Sequence, residues 1–289
     1  MILITGAGGK TGKALIKRIS KAETVCAFVH HQEQAASSKA LGAVETVSGD
    51  MHDRALVRSA MKNVRAVYHV CPNMNPDEQG IGLLILEEAR EAGVEHFVYH
   101  SVLHPQTETM KHHWQKLRVE EMIFESGLPF TILQPGPYMQ NLLADWEGIV
   151  ADGVLRVPYS VDSKLSFIDL EDLAEAARIV LTEPNHRNAT YELAGTPPMS
   201  HAEVAQVFGQ VLNRDVRAEK EEIEAWRVRA NQDGKMSEYS VENLIRMFEY
   251  YDNWGLSGNP NVLAWILKRQ PNSLESFIRR TWQERNASY

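Results

Sequence analysis

Three glycines near the start of the chain are spaced to hold a phosphate-containing ligand. Gly6, Gly9 and Gly12 stand between an apolar run at residues 1–5, which predicts a strand, and a helical pattern at residues 14–19. In such a unit the first glycine allows the tight turn, the second lets a pyrophosphate approach the backbone, and the third lets the helix pack closely. Free amide groups at the helix start would then bind the phosphates. The spacing predicts a dinucleotide site; the alternative is a glycine-rich turn that binds nothing.

The end of the second predicted strand bears on which dinucleotide binds. That strand covers residues 24–30 and runs into His30 and His31, with no acidic residue before Glu33. An acidic side chain here would bond the adenosine ribose hydroxyls and favour NAD. Its absence leaves room for a 2′-phosphate, which either histidine or Lys10 would contact. NADP(H) is therefore the preferred cofactor and NAD(H) the alternative, and two ordinary exposed loop histidines would also fit the pattern.

Further candidates lie where later strands end, because ligands of open parallel sheets bind outside the carboxyl ends of the strands. The residues at these ends are Asp50 and Met51, Cys71 and Pro72, and Ser101. The first two are candidates for the wall of an adenine pocket, although a helix cap and ordinary packing are the alternatives.

A histidine and a lysine four residues apart are the candidates for catalysis. His112 and Lys116 lie in a predicted helix at residues 111–126, so they share one face. The spacing is similar to the Tyr-x-x-x-Lys pair of short-chain dehydrogenases, in which the phenol is the acid or base and the lysine holds the nicotinamide ribose. A histidine can donate a proton near neutral pH. An exposed helix histidine and a solvated surface lysine are the alternatives, and no histidine spacing matches a zinc site, so no metal is expected.

The elements that must position these residues alternate between strand and helix. Five short apolar strands separated by helices within roughly 100 residues predict an α/β fold with a doubly wound parallel sheet. The chain then predicts a sixth strand at 129–133, an apolar helix at 139–152, a strand at 164–168, a helix at 169–182 and a last strand at 189–193.

The C-terminal third predicts a smaller, mainly helical region. Ser200 and Glu203 form a capping-box pattern, and helices are expected at 202–212, 220–229, 241–251 and 273–282. Tryptophan and tyrosine are frequent here. They are interpreted as the core of a helical domain, with a flat substrate pocket or a partner surface as alternatives.

Composition narrows the classes of function. The chain has 289 residues, is 44% hydrophobic and carries a formal net charge of -8, with no long basic run. Direct nucleic-acid binding through a basic face is therefore not expected. The two cysteines lie in apolar runs. They are therefore expected to be buried thiols of a protein in a reducing compartment. With no apolar run approaching the ~20 residues of a membrane span and no targeting segment, a cytoplasmic protein without membrane contact is expected.

These motifs together resemble the NmrA-like family of atypical short-chain dehydrogenase/reductase proteins. The matching pieces are the glycine motif, Gly49-Asp50, His112-x-x-x-Lys116 with Val119-Glu120, the run 127–133, Pro135-x-x-Tyr138-x-x-Asn141-Leu142, and the run 243–251. The resemblance covers nearly the whole chain, and only the glycine motif is generic.

The resemblance implies a Rossmann domain with a smaller C-terminal domain and a dinucleotide across the cleft. We expect the NAD(P)-binding domain at 1–135, with 164–195 returning to it, and the substrate or partner domain at 136–163 and 196–289. It implies that Lys10 and Thr11, with the three glycines, hold the pyrophosphate, and that Lys116 holds the nicotinamide ribose. The residues expected to line the nicotinamide end are Pro135, Gly136 and Tyr138.

The family contains both enzymes and regulators, and the sequence bears on the choice. His112 stands where the catalytic tyrosine is expected, which removes the best positive sign of catalysis without excluding it, because the cofactor carries the hard step. We favour an NADPH-dependent reductase of a planar acceptor such as a quinone or dye, acting as a monomer or homodimer. The alternative is a catalytically silent NADP(H) sensor that acts through a protein partner.

Overall fold

The computed structural model describes residues 1–234 and 236–286. The described chain divides into two compact units. The first comprises Met1–Glu108, His112–Pro135 and Leu173–Tyr191, and the second comprises Thr109–Lys111, Gly136–Asp172 and the chain from Glu192 onward. Residues 173–191 thus belong to the first unit, whereas residues 164–172 belong to the second.

The strands follow the sequence pattern closely in the first unit. In chain order, the strands of both units are β1 (Ile2–Ile4), β2 (Val25–Val29), β3 (Glu45–Ser48), β4 (Ala66–His69), β5 (His96–His100), β6 (Phe130–Pro135), β7 (Val154–Val157), β8 (Ala189–Leu193) and β9 (Arg217–Lys220). Within the described ranges, a seven-stranded sheet has the order β3-β2-β1-β4-β5-β6-β8. Neighbouring strands from β3 to β6 pair in parallel. The fold is therefore the expected α/β doubly wound sheet.

Helices connect the strands and make up much of the chain after β8. They are α1 (Lys10–Ile19), α2 (Glu33–Ala40), α3 (Arg54–Ala60), α4 (Glu78–Glu91), α5 (Lys111–Glu125), α6 (Trp146–Asp152), α7 (Leu170–Thr182), α8 (His201–Leu212), α9 (Ile223–Asp233), α10 (Glu238–Trp254), α11 (Asn261–Leu267) and α12 (Leu274–Asn286). A 3₁₀ helix at Met139–Asp145 precedes α6. None of the helices in the described chain combines the length and apolar character needed to cross a bilayer.

Local sequence explains where several helices begin. Asp53 accepts hydrogen bonds from the amides of Ala55 and Leu56 and so caps α3. Ser200 and Glu203 form the expected capping box at the start of α8. Each of these side chains satisfies amide groups that have no partner inside the helix.

The strands of the sheet centre are buried along their whole length. Every residue of β1, β2, β4 and β5 is buried, which explains why their sequences are mostly apolar instead of alternating, with histidines only at strand ends. One core cluster packs residues of these strands, among them Leu3, Phe28 and Phe97, against Ile85 and Val119 of the covering helices. Because successive strand residues point to opposite faces and all of them are buried, the sheet centre is covered on both faces.

The strand order reverses direction at one place in the sheet. The chain moves from β1 outward to β2 and β3, then returns to pair β4 against the other side of β1. The carboxyl ends of β1 and β4 therefore flank a crevice at the topological switch point, where ligands of open α/β sheets bind.

Two predictions in the second half are wrong. Residues 164–168 form no strand; Leu165 makes only isolated bridges, to Met199 and Leu256. The strand that does form is β7, which follows Gly153 at a positive φ of 68° and pairs in parallel with β9. The predicted helix at 220–229 accordingly starts later, because Lys220 still belongs to β9. Both strands are only four residues long and have no alternation strong enough to reveal them.

Buried carboxylates tie the C-terminal part of the second unit together. Asp169 accepts from Arg280 at 2.7 Å and Asp172 from Arg269 at 2.6 Å, and both carboxylate side chains are fully buried. Asn272 donates to both aspartates. Because a buried charge is stable only when paired and hydrogen-bonded, these contacts fix α12 to the start of α7.

Candidate functional site

The glycine turn has the geometry that its spacing predicts. Gly6 adopts a positive φ of 58°, and a Cβ placed there would lie 2.6 Å from the Val70 carbonyl oxygen. A Cβ on Gly12 would lie 2.5 Å from the Ala7 Cα, so only glycine lets α1 start so close to the turn. At Gly9 the nearest atom to a Cβ would be 3.4 Å away, and this residue caps α1 without a side-chain bond. The turn thus leaves open space at Gly9, where a pyrophosphate would approach the first amides of α1.

The floor of this turn is fixed by one threonine. Thr5 is fully buried, its hydroxyl lies 2.8 Å from His69 Nδ1 and donates to the Val70 carbonyl, and it accepts from the Val70 amide at 2.9 Å. Because the Thr5 hydroxyl donates its proton to the hydrogen bond with the Val70 carbonyl, it accepts from His69, whose Nδ1 therefore carries the ring proton. Burial lowers the pKa of His69 to about 3, so the ring is neutral, and its Nε2 has no hydrogen-bond partner.

The two histidines expected near the adenosine are both exposed at the end of β2. Gln34 Oε1 accepts from the backbone amides of His30 and His31, at 3.1 Å each. The same side chain lies over the glycine turn, within 2.4 Å of where a Cβ on Gly8 would be. Gln34 therefore sets the path of the loop that carries both rings.

In the loop after β3, Asp50 is exposed and the next residue, Met51, is buried. Asp50 is exposed and accepts from the backbone and Nδ1 of His52, and these bonds lower the Asp50 pKa. His52 Nε2 contacts Asp77 at 3.0 Å, so it links this loop to the residue before α4. Met51 instead packs into the main core cluster. Their predicted part in an adenine wall stays a prediction.

A buried polar cluster lies at the carboxyl ends of β4 and β5, around Lys116 of α5. Its Nζ donates to Glu78 Oε1 at 2.8 Å and to the His100 carbonyl at 3.3 Å. The same Glu78 oxygen accepts from the Tyr99 hydroxyl at 2.9 Å. Burial raises the pKa of Tyr99 and of Cys71, so both stay protonated beside Glu78. The Lys116 side chain is therefore only 14% exposed and fixed by these hydrogen bonds, unlike a solvated surface lysine.

His112 lies one helical turn before Lys116 and is half-buried. Burial lowers its pKa to about 2, with the neighbouring His113 and Lys116 adding to the effect. Its Nδ1 has no hydrogen-bond partner. At neutral pH this side chain is therefore a neutral imidazole, and the catalytic role predicted for it stays a prediction. His113 is held separately, through contact of its Nδ1 with the His104 carbonyl at 3.1 Å.

Ser101 and Pro135 make hydrogen bonds within the first unit, and their predicted part in cofactor binding stays a prediction. The Ser101 hydroxyl donates to Glu120, which also accepts from the Gln134 amide at 2.9 Å. Burial raises the pKa of Glu120. The Pro135 carbonyl accepts from the Leu103 amide at 2.9 Å and so anchors the loop that follows β5. Of the remaining predicted residues, Pro72 is exposed, and Gly136 and Tyr138 belong to the second unit.

The chain as a whole has counterparts among known proteins. Residues 1–284 match the model of the NmrA-like family. The chain belongs to the NmrA-like family. This match confirms the resemblance carried by the glycine motif and the later runs.

Individual relatives of this NmrA-like chain include named reductases. An NAD(P)H azoreductase of Xenophilus azovorans is 31% identical over 220 residues, which is 75% of this chain and 76% of the relative. A (4-alkanoyl-5-oxo-2,5-dihydrofuran-3-yl)methyl phosphate reductase of Streptomyces griseus is 30% identical over 231 residues, 78% of this chain and 79% of the relative. Among solved structures, the NADPH complex of an Escherichia coli NADPH-dependent quinone oxidoreductase is similar in fold. It has a TM-score of 0.84 and 23% identity and covers 98% of this chain and all of the other.

Sequence reasoning missed three members of the site of this NmrA-like chain: Glu78, Tyr99 and His69. In the structure Glu78 follows Asp77 at the start of α4 and is 4% exposed, which is rare for a glutamate, but the sequence carries no sign of that burial. No pattern in the sequence pairs Glu78 with Lys116, since they are 38 positions apart.

Proposed function

We propose that this protein is an NADPH-dependent reductase of conjugated, planar electron acceptors such as quinones or azo dyes. The observation that carries the proposal is the glycine turn at the switch point of the sheet. It leaves open space at Gly9 beside the first amides of α1, while Gly6 and Gly12 allow contacts too close for any other residue. Such a turn has the shape and the positive helix end that a pyrophosphate needs.

Residues of the first unit fit the rest of a dinucleotide. Lys10 and Thr11 follow Gly9 at the start of α1, and the exposed His30 and His31 stand where a 2′-phosphate would lie. Lys116 would hold the nicotinamide ribose. The absence of an acidic residue at the end of β2 favours NADPH over NADH. When bound, the cofactor would supply the hydride.

The substrate class follows from what the relatives have in common. An azo compound, a quinone and an alkanoyl-oxo-dihydrofuran are all conjugated systems that accept a hydride at one atom and a proton at another. Because the cofactor carries the difficult step, the protein needs to orient the acceptor and allow a proton to reach it.

The proton does not come from an imidazolium in this proposal. His112, with its pKa lowered to about 2, is neutral at working pH and donates or accepts a hydrogen bond without changing charge. Water therefore supplies the proton, and the neutral ring helps to orient the acceptor. This is consistent with reduction of quinones and dyes, whose reduced anions are stabilised by conjugation and need little help from an acid.

A panel assay tests the proposal. NADPH oxidation is followed with quinones, azo dyes and α,β-unsaturated ketones, beside NADPH affinity measured by calorimetry. We expect micromolar binding and turnover with at least one class of acceptor, and loss of most turnover in Lys116→Ala. Binding without oxidation of any acceptor would reject the enzyme proposal.

A second candidate is an NADP(H) sensor without turnover. The observation in its favour is that a neutral His112 occupies the position of the expected catalytic tyrosine. A sensor requires the cofactor to favour one conformation or surface over another. Binding without oxidation, together with a change in protease sensitivity on adding NADPH, is the result that would support this candidate.

A further inference from the structure

We propose that Glu78, together with Tyr99, is a positioning residue that holds Lys116 for the cofactor. The inference rests on the proposed function, because it concerns the lysine expected to bind the nicotinamide ribose. It assigns a role to an acidic side chain from α4, an element that the Tyr-x-x-x-Lys spacing does not include.

Glu78 is buried and hydrogen-bonded so that it fixes the position of the Lys116 ammonium group. Glu78 is the first residue of α4 and its side chain is 5% exposed. One carboxylate oxygen accepts both from Lys116 Nζ, at 2.8 Å, and from the Tyr99 hydroxyl, at 2.9 Å. The cation also lies 5.4 Å from the centre of the Tyr99 ring. Tyr99 therefore supports the pair twice, through its hydroxyl and through its ring face.

The hydrogen bonds of the lysine leave one donor for a ligand. An ammonium group has three N–H donors. Two of them go to Glu78 and to the His100 carbonyl, and both acceptors lie within the first unit. The third is the one that a ribose hydroxyl would use, so the two protein contacts fix the direction in which Lys116 offers it.

Neighbouring groups do not substitute for Glu78. Burial lowers the pKa of His69 and of His100 to about 3, so both rings are neutral at neutral pH, and neither can pair with the ammonium as an anion does. The pKa of the Cys71 thiol is raised, so it is not an anion. Glu120 is committed to Ser101 and Gln134. Glu78 is therefore the anionic partner in direct contact with the ammonium among the described residues.

The test compares a whole cofactor with half of one. NADPH and 2′,5′-ADP are titrated by calorimetry into wild type, Glu78→Gln, Lys116→Met and the double variant. 2′,5′-ADP lacks the nicotinamide ribose and so does not reach Lys116. We expect Glu78→Gln to weaken NADPH about tenfold, as loss of a hydrogen bond between charged groups does, and to leave 2′,5′-ADP within twofold. In the Lys116→Met background, Glu78→Gln should cause no further loss, because its effect passes through the lysine.

Two further variants separate positioning from folding. Tyr99→Phe keeps the ring and removes one hydrogen bond to Glu78, so we expect a smaller loss of NADPH affinity, about threefold, with 2′,5′-ADP again unchanged. Glu91→Gln, on the exposed end of the same helix, is the matched control and should bind both ligands as wild type does.

The outcomes distinguish this inference from the proposed function. If wild type binds neither ligand, the proposed cofactor site is wrong and the positioning role is rejected with it. If wild type binds NADPH and Glu78→Gln binds it equally well, or loses both ligands equally, the positioning role alone is overturned. Tighter NADPH binding in Glu78→Gln would also overturn it, because Glu78 would then compete with the cofactor for Lys116.

Discussion

Thr5 and His69 connect the carboxyl ends of β1 and β4 through one side-chain contact, 2.8 Å between Oγ1 and Nδ1. The same hydroxyl bonds both backbone groups of Val70, whose carbonyl leaves no room for a Cβ on Gly6. The shape of the glycine turn thus depends on a buried side chain that precedes it. This is why a threonine, which has a hydroxyl as well as a β-branched shape, directly follows β1.

Replacing Thr5 by valine should destabilise the first unit with little change of volume. The change removes the hydrogen-bond partner of the His69 Nδ1–H, in a fully buried residue, and of the backbone amide of Val70, which is half-buried. Each unsatisfied group costs about 1–3 kcal/mol, so we expect the free energy of unfolding to fall by at least about 2 kcal/mol. Urea unfolding followed by circular dichroism measures it. Thr5→Ser, which keeps the hydroxyl, is the control, and an equal loss in both variants would show that packing and not hydrogen bonding is responsible.

Two glycine substitutions in the same turn should affect different properties: Gly9→Ala the cofactor affinity and Gly12→Ala the stability. Gly9→Ala adds a methyl where the nearest atom is 3.4 Å away, and the backbone there is extended, so stability should stay within about 1 kcal/mol of wild type. NADPH affinity should fall at least tenfold, because the methyl occupies the space expected for the pyrophosphate.

Gly12→Ala is the matched structural variant. Its Cβ would lie 2.5 Å from both the Gly6 carbonyl oxygen and the Ala7 Cα. Overpacking of this kind costs about 1–3 kcal/mol. We therefore expect the melting temperature of Gly12→Ala to fall, whether or not its NADPH affinity changes. Unchanged NADPH affinity in Gly9→Ala would contradict the placement of the pyrophosphate.

The sequence predicted the first unit well because its signals are local. Runs of mostly apolar residues identify β1, β2, β4 and β5, which are buried on both faces. The requirement for glycine at position 12 follows from contacts with Gly6 and Ala7 in the same turn, whereas that at position 6 also depends on Val70, far along the chain. The second unit was predicted less well. The strands β7 and β9 are short and pair across more than 60 positions, and no local pattern specifies that pairing.

The candidate site shows the same limit. His112 and Lys116 were found from their spacing, but their environment was not, because it depends on which helix packs beside them. The partner of Lys116 comes from α4, and the burial that lowers the pKa of His112 to about 2 comes from the fold around α5. A four-residue spacing can place two side chains on one helix face, but it does not show whether that face is exposed to solvent or buried.

His30→Asp tests the preference for NADPH. His30 is exposed, and its amide is held by Gln34, so the substitution changes charge without disturbing the core. A carboxylate here would repel a 2′-phosphate and accept from the ribose hydroxyls of NADH. We expect the ratio of NADPH to NADH affinity to fall by about tenfold or more, measured by competition with each reduced cofactor. His30→Asn is the uncharged control, and an unchanged ratio in the aspartate variant would place the 2′-phosphate elsewhere.

Acid should destabilise the protein through its buried histidines. The pKa values of six are lowered by burial, to about 2 for His112, about 3 for His69 and His100, and about 4 for His96, His113 and His201. Between about pH 6.5 and pH 5 the unfolded chain therefore binds protons that the folded protein does not. Stability is full above pH 6.5 and falls as the pH drops, by about 1.4 kcal/mol per pH unit for each such group.

His201→Phe isolates one of these contributions. His201 is 1% exposed, packs against Tyr159 and Phe167, and its Nδ1 has no hydrogen-bond partner, so a phenyl ring fits its surroundings. The fall in unfolding free energy between about pH 6.5 and pH 5 should become shallower by about 1.4 kcal/mol per pH unit, measured by urea unfolding at a series of pH values. Tyr159→Phe removes the hydroxyl 3.4 Å from the ring nitrogen but keeps the titrating group, so its slope should match that of wild type. A slope unchanged in His201→Phe would mean that this imidazole takes up its proton in the folded state as readily as in the unfolded chain.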